Sequence, residues 1–170
     1  EEIYNKYSGN DTIKGGNGVN IIHAGLGDDE ITGGTGVNLI QFKAGDGNDI
    51  ICNGNGTDYL YFCDWSYDNA VFSKNGNDLI ISYKDADTME INPDMGSVTL
   101  KDYFIHKENF SIQGIGFGAN NPTEYKTDIE PIGSMLNYDD NITIDKLAGA
   151  IQGAFKNSAE IWELFNEDKN

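Results

Sequence analysis

Along residues 6–61, single apolar positions return every nine residues among glycines and polar side chains. Ile13, Ile22, Ile31 and Ile40 open the series, and after two extra residues, Phe42 and Lys43, Ile51 and Leu60 continue it. Read in nines, the stretch is KYSGNDTIK, GGNGVNIIH, AGLGDDEIT and GGTGVNLIQ, then AGDGNDIIC and NGNGTDYLY. Position eight is aliphatic throughout. Position four is always glycine: Gly9, Gly18, Gly27, Gly36, Gly47 and Gly56. Position six is Asp or Asn: Asp11, Asn20, Asp29, Asn38, Asp49 and Asp58. The glycine-rich first six residues predict a tight loop, because glycine takes backbone conformations that other residues avoid. The last three predict a short strand in which position eight points one way and positions seven and nine the other. One nonamer cannot bury its single aliphatic side chain. Stacked nonamers can, so the pattern predicts an interior ladder of five isoleucines ending at Leu60.

These nonamers resemble the glycine- and aspartate-rich repeats of RTX proteins, the haemolysin-type calcium-binding family, a period associated with parallel β-helical architecture. The resemblance implies an all-β fold: a right-handed parallel β-roll, or β-solenoid, with two nonamers per turn and so about three turns here. It also implies Ca2+ between loops stacked on the same side, held by loop carbonyls and position-six carboxylates. Such ligands suit a hard cation that takes roughly six to eight oxygens.

A two-nonamer turn would place loops one, three and five on one edge and loops two, four and six on the other. The residues do alternate with that period. The odd loops carry Asp11, Asp29 and Asp49, preceded by Asn10, Asp28 and Asn48; the even loops carry Asn20, Asn38 and Asp58, preceded by Val19, Val37 and Thr57. The true period is therefore eighteen. Carried onto this chain, the stronger edge comprises Asp11, Asp29, Asp49, Gly9, Gly25, Gly27, Asp28, Gly45 and Gly47. The weaker edge comprises Asn20, Gly16, Gly18, Asn38, Gly34, Gly36, Asp58, Gly54 and Gly56, because a neutral amide gives an oxygen without a charge. Phe42 and Lys43 are expected to bulge out between loops four and five without breaking the stack.

Composition narrows the chemistry. Eleven basic residues against 28 acidic ones give a net charge of −17 in 170 residues, a surface that repels nucleic acid. The plain reading of this charge is solubility or disorder; the sharper one is a chain that cannot compact until cations neutralise it. No run approaches the roughly 18 apolar residues of a membrane helix. The sequence begins with Glu1 and reads as a piece of a longer polypeptide. Cys52 and Cys63 leave a disulfide and two free thiols equally open.

Downstream, the aromatics Phe62, Trp65, Tyr67 and Phe72 are expected to plug the end of the roll. Asn75-Gly76 reads as a hairpin turn, followed by a strand near Leu79–Tyr83. Residues 96–104 and 108–117 offer two more strands, so that 62–117 forms a β-rich cap built on a small antiparallel sheet. Residues 118–142 read as a linker. From Thr143, a candidate N-cap, the residues Ile144, Leu147, Ala148, Ile151, Ala154, Phe155, Ala159, Trp162 and Phe165 recur, with spacings of three and four linking Ile144, Leu147, Ile151, Phe155, Ala159, Trp162 and Phe165. That is the stripe of a C-terminal amphipathic helix over 143–170. It has three readings: packing on the rest of the fold; the type I secretion signal that the resemblance implies; and a membrane-surface helix, against which the few lysines of a strongly acidic chain argue.

No HExxH, GxSxG or GxxxxGK motif is present, and His23 and His106 stand apart. The chain is therefore expected to be no enzyme. The expected function is that of a calcium-binding module of a secreted RTX protein, folding on calcium after type I export. The alternative is a calcium-rigidified structural module of a surface-layer protein or adhesin, with self-association as its activity.

Overall fold

The computed structural model describes residues 2–4, 8–106 and 111–117. The strand half of each nonamer forms a strand: β2 (Thr12–Lys14), β3 (Val19–His23), β4 (Glu30–Thr32), β5 (Val37–Phe42), β6 (Asn48–Cys52) and β7 (Thr57–Phe62), preceded by β1 (Glu2–Tyr4). Successive strands alternate between two sheets. The first has the order β1-β3-β5-β7-β11 and the second β2-β4-β6-β10-β9-β8. Each repeat strand pairs in parallel with the strand two nonamers on: Ile13 lies opposite Ile31, and Ile22 opposite Ile40. The eighteen-residue period is thus the spacing between neighbours within a sheet. A nonamer is the crossing from one sheet to the other.

The extra pair at Phe42 and Lys43 lengthens that spacing without shifting the ladder, since Ile31 still faces Ile51 and Ile40 still faces Leu60. Phe42 does not bulge out as expected. It extends β5 and lies opposite Phe62, both rings buried with centroids 5.5 Å apart. Burying an aromatic ring stabilises by roughly 2–3 kcal/mol, which an exposed bulge would forgo; Lys43 takes the outside position instead.

Beyond residue 62 the pattern changes but the sheets continue. β8 (Ala70–Asn75) and β9 (Asp78–Tyr83) form a hairpin, with Gly76 at φ +60° in its turn. The central turn residues are Gly76 and Asn77, one position later than the Asn-Gly motif suggested. β10 (Ser97–Leu100) pairs antiparallel with β9 and parallel with β6. The antiparallel strands are therefore an extension of the second sheet, not a separate small sheet. After one helical turn, α1 (Tyr103–His106), β11 (Ile112–Phe117) adds in parallel to β7. Residues 93–101 prove to be a degenerate nonamer. Leu100 lies opposite Ile51, Val98 opposite Asp49, and the Ser97 N–H donates to the Gly47 carbonyl at 2.9 Å.

The core between the sheets contains Ile22, Ile31, Ile40, Ile51, Leu60, Leu100 and Ile115, with Ile13 partly buried at one end. Aromatics close the other end. Phe62 stacks on Trp65 and on Phe117 at centroid distances of 4.6 and 5.2 Å. The linker and amphipathic helix expected over 118–170 lie outside the described residues. Among the described residues, no helix is long and apolar enough to cross a membrane.

Candidate metal sites

On the odd edge, loops one, three and five stack backbone against backbone, and the degenerate loop at 94–97 adds a fourth layer. Gly9 N–H donates to the Leu26 carbonyl at 2.8 Å and Gly27 N–H to the Asp46 carbonyl at 2.7 Å. Gly27 and Gly47 stand at φ +138° and +131°, and a Cβ on either would collide with a carbonyl, of Gly9 and of Gly27 respectively. Glycine is required there by both conformation and space.

Stacking turns position six inward. Asp29 and Asp49 are each 1% exposed. Asp29 Oδ1 accepts from the Asp11 N–H at 2.8 Å, and Asp49 Oδ1 accepts from the Asp29 N–H at 3.0 Å. Position five forms a second, exposed ladder, in which Asn10 Oδ1 accepts from Asp28 N–H and Asp28 Oδ1 from Asn48 N–H. The other oxygen of Asp29, Oδ2, is buried with no hydrogen-bond partner. Burial pushes the Asp29 carboxyl up, against the Asp11 N–H bond, and the charges of Asp11 and Asp28 add to the rise. Burial drives Asp49 up to about 7, with Asp29, Asp46 and Asp28 contributing repulsion. Asp46 is raised by burial as well, despite its bond from the Lys43 N–H. Several carboxylates thus share a poorly hydrated edge, and their mutual repulsion is relieved by a cation or a proton.

The even edge solves the same stacking problem with amides. Asn20, Asn38 and Asp58 are fully buried. Asn20 Nδ2 donates to Asn38 Oδ1 at 2.7 Å, and Asn38 Nδ2 donates to Asp58 Oδ1 at 2.6 Å. Asn20 Nδ2 also reaches the Gly16 carbonyl at 3.2 Å. Ser111 closes the ladder: its carbonyl accepts from Asp58 N–H at 2.7 Å, and its hydroxyl accepts from Gly54 N–H at 3.2 Å. Asp58 is raised by burial but held back by hydrogen bonds from Ser111 and Asn38. Asn20 Oδ1 and Asp58 Oδ2 remain without partners. Position six of the even loops is therefore largely occupied with hydrogen bonds between side chains, whereas at position six of the odd loops Asp29 and Asp49 accept from backbone N–H groups.

Among the described residues, no three His, Cys, Asp or Glu side chains converge as a metal-binding group. A cation on either edge would need loop carbonyls beside the carboxylates. Of the residues assigned to the stronger edge, Asp11, Asp28, Asp29, Asp49, Gly9, Gly27 and Gly47 come together in one stack. Gly45 lies beside it, its N–H donating to the Met95 carbonyl at 3.1 Å. On the other edge, Gly34, Gly36, Gly54 and Gly56 pack layer on layer. Sequence reasoning missed Asp46 and Ser111. Asp46 was legible as a third acid in AGDGND; nothing in the sequence links Ser111 to a repeat 50 residues earlier. Cys52 and Cys63 are both free, and burial raises both thiols, Cys63 to about 11.

Comparison with known families gives one result. The model of the RTX calcium-binding nonapeptide repeat matches residues 7–40 and 41–60, in four copies, and the break between the two matches falls between Ile40 and Gln41. No curated protein matches the chain.

Proposed function

Residues 7–60 are RTX calcium-binding repeats, and from that premise we propose that the chain is the calcium-binding module of a secreted RTX protein. In this reading the two-sheet stack is a right-handed parallel β-roll that completes its folding outside the cell, after type I export. The odd edge carries the function. Asp11, Asp29 and Asp49, with carbonyls of the Gly9, Gly27 and Gly45–Gly47 loops, hold calcium between stacked layers. The even edge, Asn20, Asn38 and Asp58, binds it weakly or not at all.

The observation that best supports this is Asp29, whose second carboxylate oxygen is buried without a partner and surrounded by other acids. An unpaired buried charge costs several kcal/mol unless something compensates it. When bound, calcium supplies that compensating charge and accepts the hard oxygen ligands the loops present. The residues themselves then account for coupling of binding to folding. At a net charge of −17 the chain repels itself, and the single file of aliphatic residues is a narrow core with which to oppose that repulsion.

Circular dichroism tests the proposal. In excess chelator the far-ultraviolet β-signal is expected to collapse, and titrated calcium at the micromolar to millimolar levels of sensor and extracellular sites is expected to restore it. A β-signal undiminished in chelator would contradict calcium-coupled folding.

A further inference from the structure

We propose that Asn55, followed by Gly56 in the last loop of the even edge, is a site of spontaneous modification, where the backbone rearranges through a succinimide to aspartate and isoaspartate. A glycine after asparagine leaves the next backbone nitrogen unshielded by any side chain. The Gly56 nitrogen attacks the side-chain amide carbon of Asn55. A C–N bond forms, ammonia departs with the nitrogen's proton, and a cyclic imide remains. Water then cleaves either of the two imide bonds. Cleavage on the backbone side leaves the chain running through the side-chain carbon, as isoaspartate. Cleavage on the other side gives aspartate. No reagent besides water is consumed.

The same dipeptide occurs four times, as Asn17-Gly18, Asn53-Gly54, Asn55-Gly56 and Asn75-Gly76. The fold tells them apart. At Asn53 both reacting groups are tied: its Oδ1 accepts from the Ser111 N–H at 2.8 Å, and the Gly54 N–H donates to Ser111 Oγ at 3.2 Å. Asn17 Oδ1 accepts from Thr35 Oγ1 at 2.5 Å. Asn75 is exposed, but it ends β8 and is held opposite Asp78 in the antiparallel ladder. Asn55 is exposed at a bend between β6 and β7. Among the described residues, neither its amide nor the Gly56 N–H has a hydrogen-bond partner. Of the four, it combines a free amide, a free nitrogen and a backbone outside the strands. It can turn into the attacking geometry without first breaking a hydrogen bond.

The product does not fit the loop that makes it. Loop six lies on loop four without slack: a Cβ on Gly56 would strike the Gly36 and Gly34 carbonyls, and the Thr57 N–H donates to the Gly36 carbonyl at 2.8 Å. Isoaspartate inserts an extra backbone carbon just before Gly56. Either product also adds a negative charge to a chain already at −17, which self-repulsion disfavours. Asp58 follows in the same loop and holds the buried bond from Asn38 Nδ2 at 2.6 Å. The rearrangement therefore loosens the even edge at its last loop, and its extent grows with the time the folded chain spends in water. None of this depends on which edge holds calcium.

Peptide mapping by mass spectrometry tests the site on the full chain, aged at mildly alkaline pH both folded in saturating calcium and unfolded in urea. Dividing each folded rate by the same site's rate in urea isolates what the fold does. On that scale Asn55 is expected to lead the other three sites by about tenfold or more, with Asn53 the slowest. The proposal is overturned if Asn55 reacts no faster than Asn53, or if Asn17 or Asn75 leads. Hydrogen exchange tests the consequence. Residues 53–62 are expected to exchange faster in the aged chain than in the fresh one. Asn55→Gln, whose longer amide closes an imide ring far more slowly, is expected to age without that change. Equal loosening of both chains, or none in a parent chain carrying isoaspartate at this position, would overturn it.

Discussion

Asp29→Asn separates a calcium ligand from a structural hydrogen-bond acceptor within one nearly isosteric change. The new amide oxygen can still accept from the Asp11 N–H, now at 2.8 Å. What disappears is the charge and the unpartnered Oδ2. Asp29 lies between Asp11 and Asp49 in the stack, so its carboxylate serves both inter-loop intervals. A unit charge pair about 4 Å apart in water is worth about 1 kcal/mol, and a divalent partner doubles that. Losing one carboxylate should therefore cost each interval about 2 kcal/mol, or roughly 30-fold in affinity. Calorimetric titration and the calcium midpoint of the β-signal measure it directly. Asp58→Asn is the control, because its oxygen can still accept from Asn38 Nδ2 across 2.6 Å; its midpoint should move less than about threefold. Equal shifts for the two variants, or a larger one for Asp58→Asn, would refute the assignment of the odd edge.

Asn38→Ala in saturating calcium should lower stability by about 2–5 kcal/mol in urea unfolding, since it strips one partner each from Asn20 and Asp58 inside the core; a loss below about 0.5 kcal/mol would mean the amide ladder carries nothing. Gly47→Ala should shift the calcium midpoint upward by at least tenfold, because its Cβ would strike the Gly27 carbonyl at φ +131°, whereas Gly9→Ala, with open space around it, should move it far less. In chelator, pH should substitute in part for calcium. Asp49 rises from 3.8 to about 7 on folding, so the stability it contributes is present in full below about 3.8 and is lost as pH rises through about 7. The β-signal of the calcium-free chain should therefore grow between pH 7.5 and 4.5, and a flat or falling signal would count against the burial of these acids.

The nonamer was legible because three of its nine positions are constrained at once: a glycine that a neighbouring layer forbids from carrying Cβ, an Asx, and an aliphatic side chain aimed inward. Those constraints also placed neighbouring strands eighteen apart. Phe42 was misjudged because an inserted residue can leave a ladder or lengthen a strand, and only the presence of Phe62 opposite decides for burial. The degenerate nonamer at 93–101 escaped because Val98 stands where the acid should be, leaving Gly96 and Leu100 as the surviving marks. Chemically, the difference between the edges was visible in Asp against Asn. That Asn20 and Asn38 bond to each other was not, because sequence does not tell whether an amide meets a cation or the next amide. Val19 and Val37 before those asparagines held the missing signal, since apolar residues at positions five and seven make the outer face of the first sheet apolar.

Crystals grown or soaked at graded calcium concentrations test the central claim most directly. The account predicts ions first between the loops of Asp11 and Asp29 and of Asp29 and Asp49, while the intervals from Asn20 to Asn38 and from Asn38 to Asp58 keep their amide hydrogen bonds. Simultaneous filling of both edges, or filling of the Asn edge first, would contradict it.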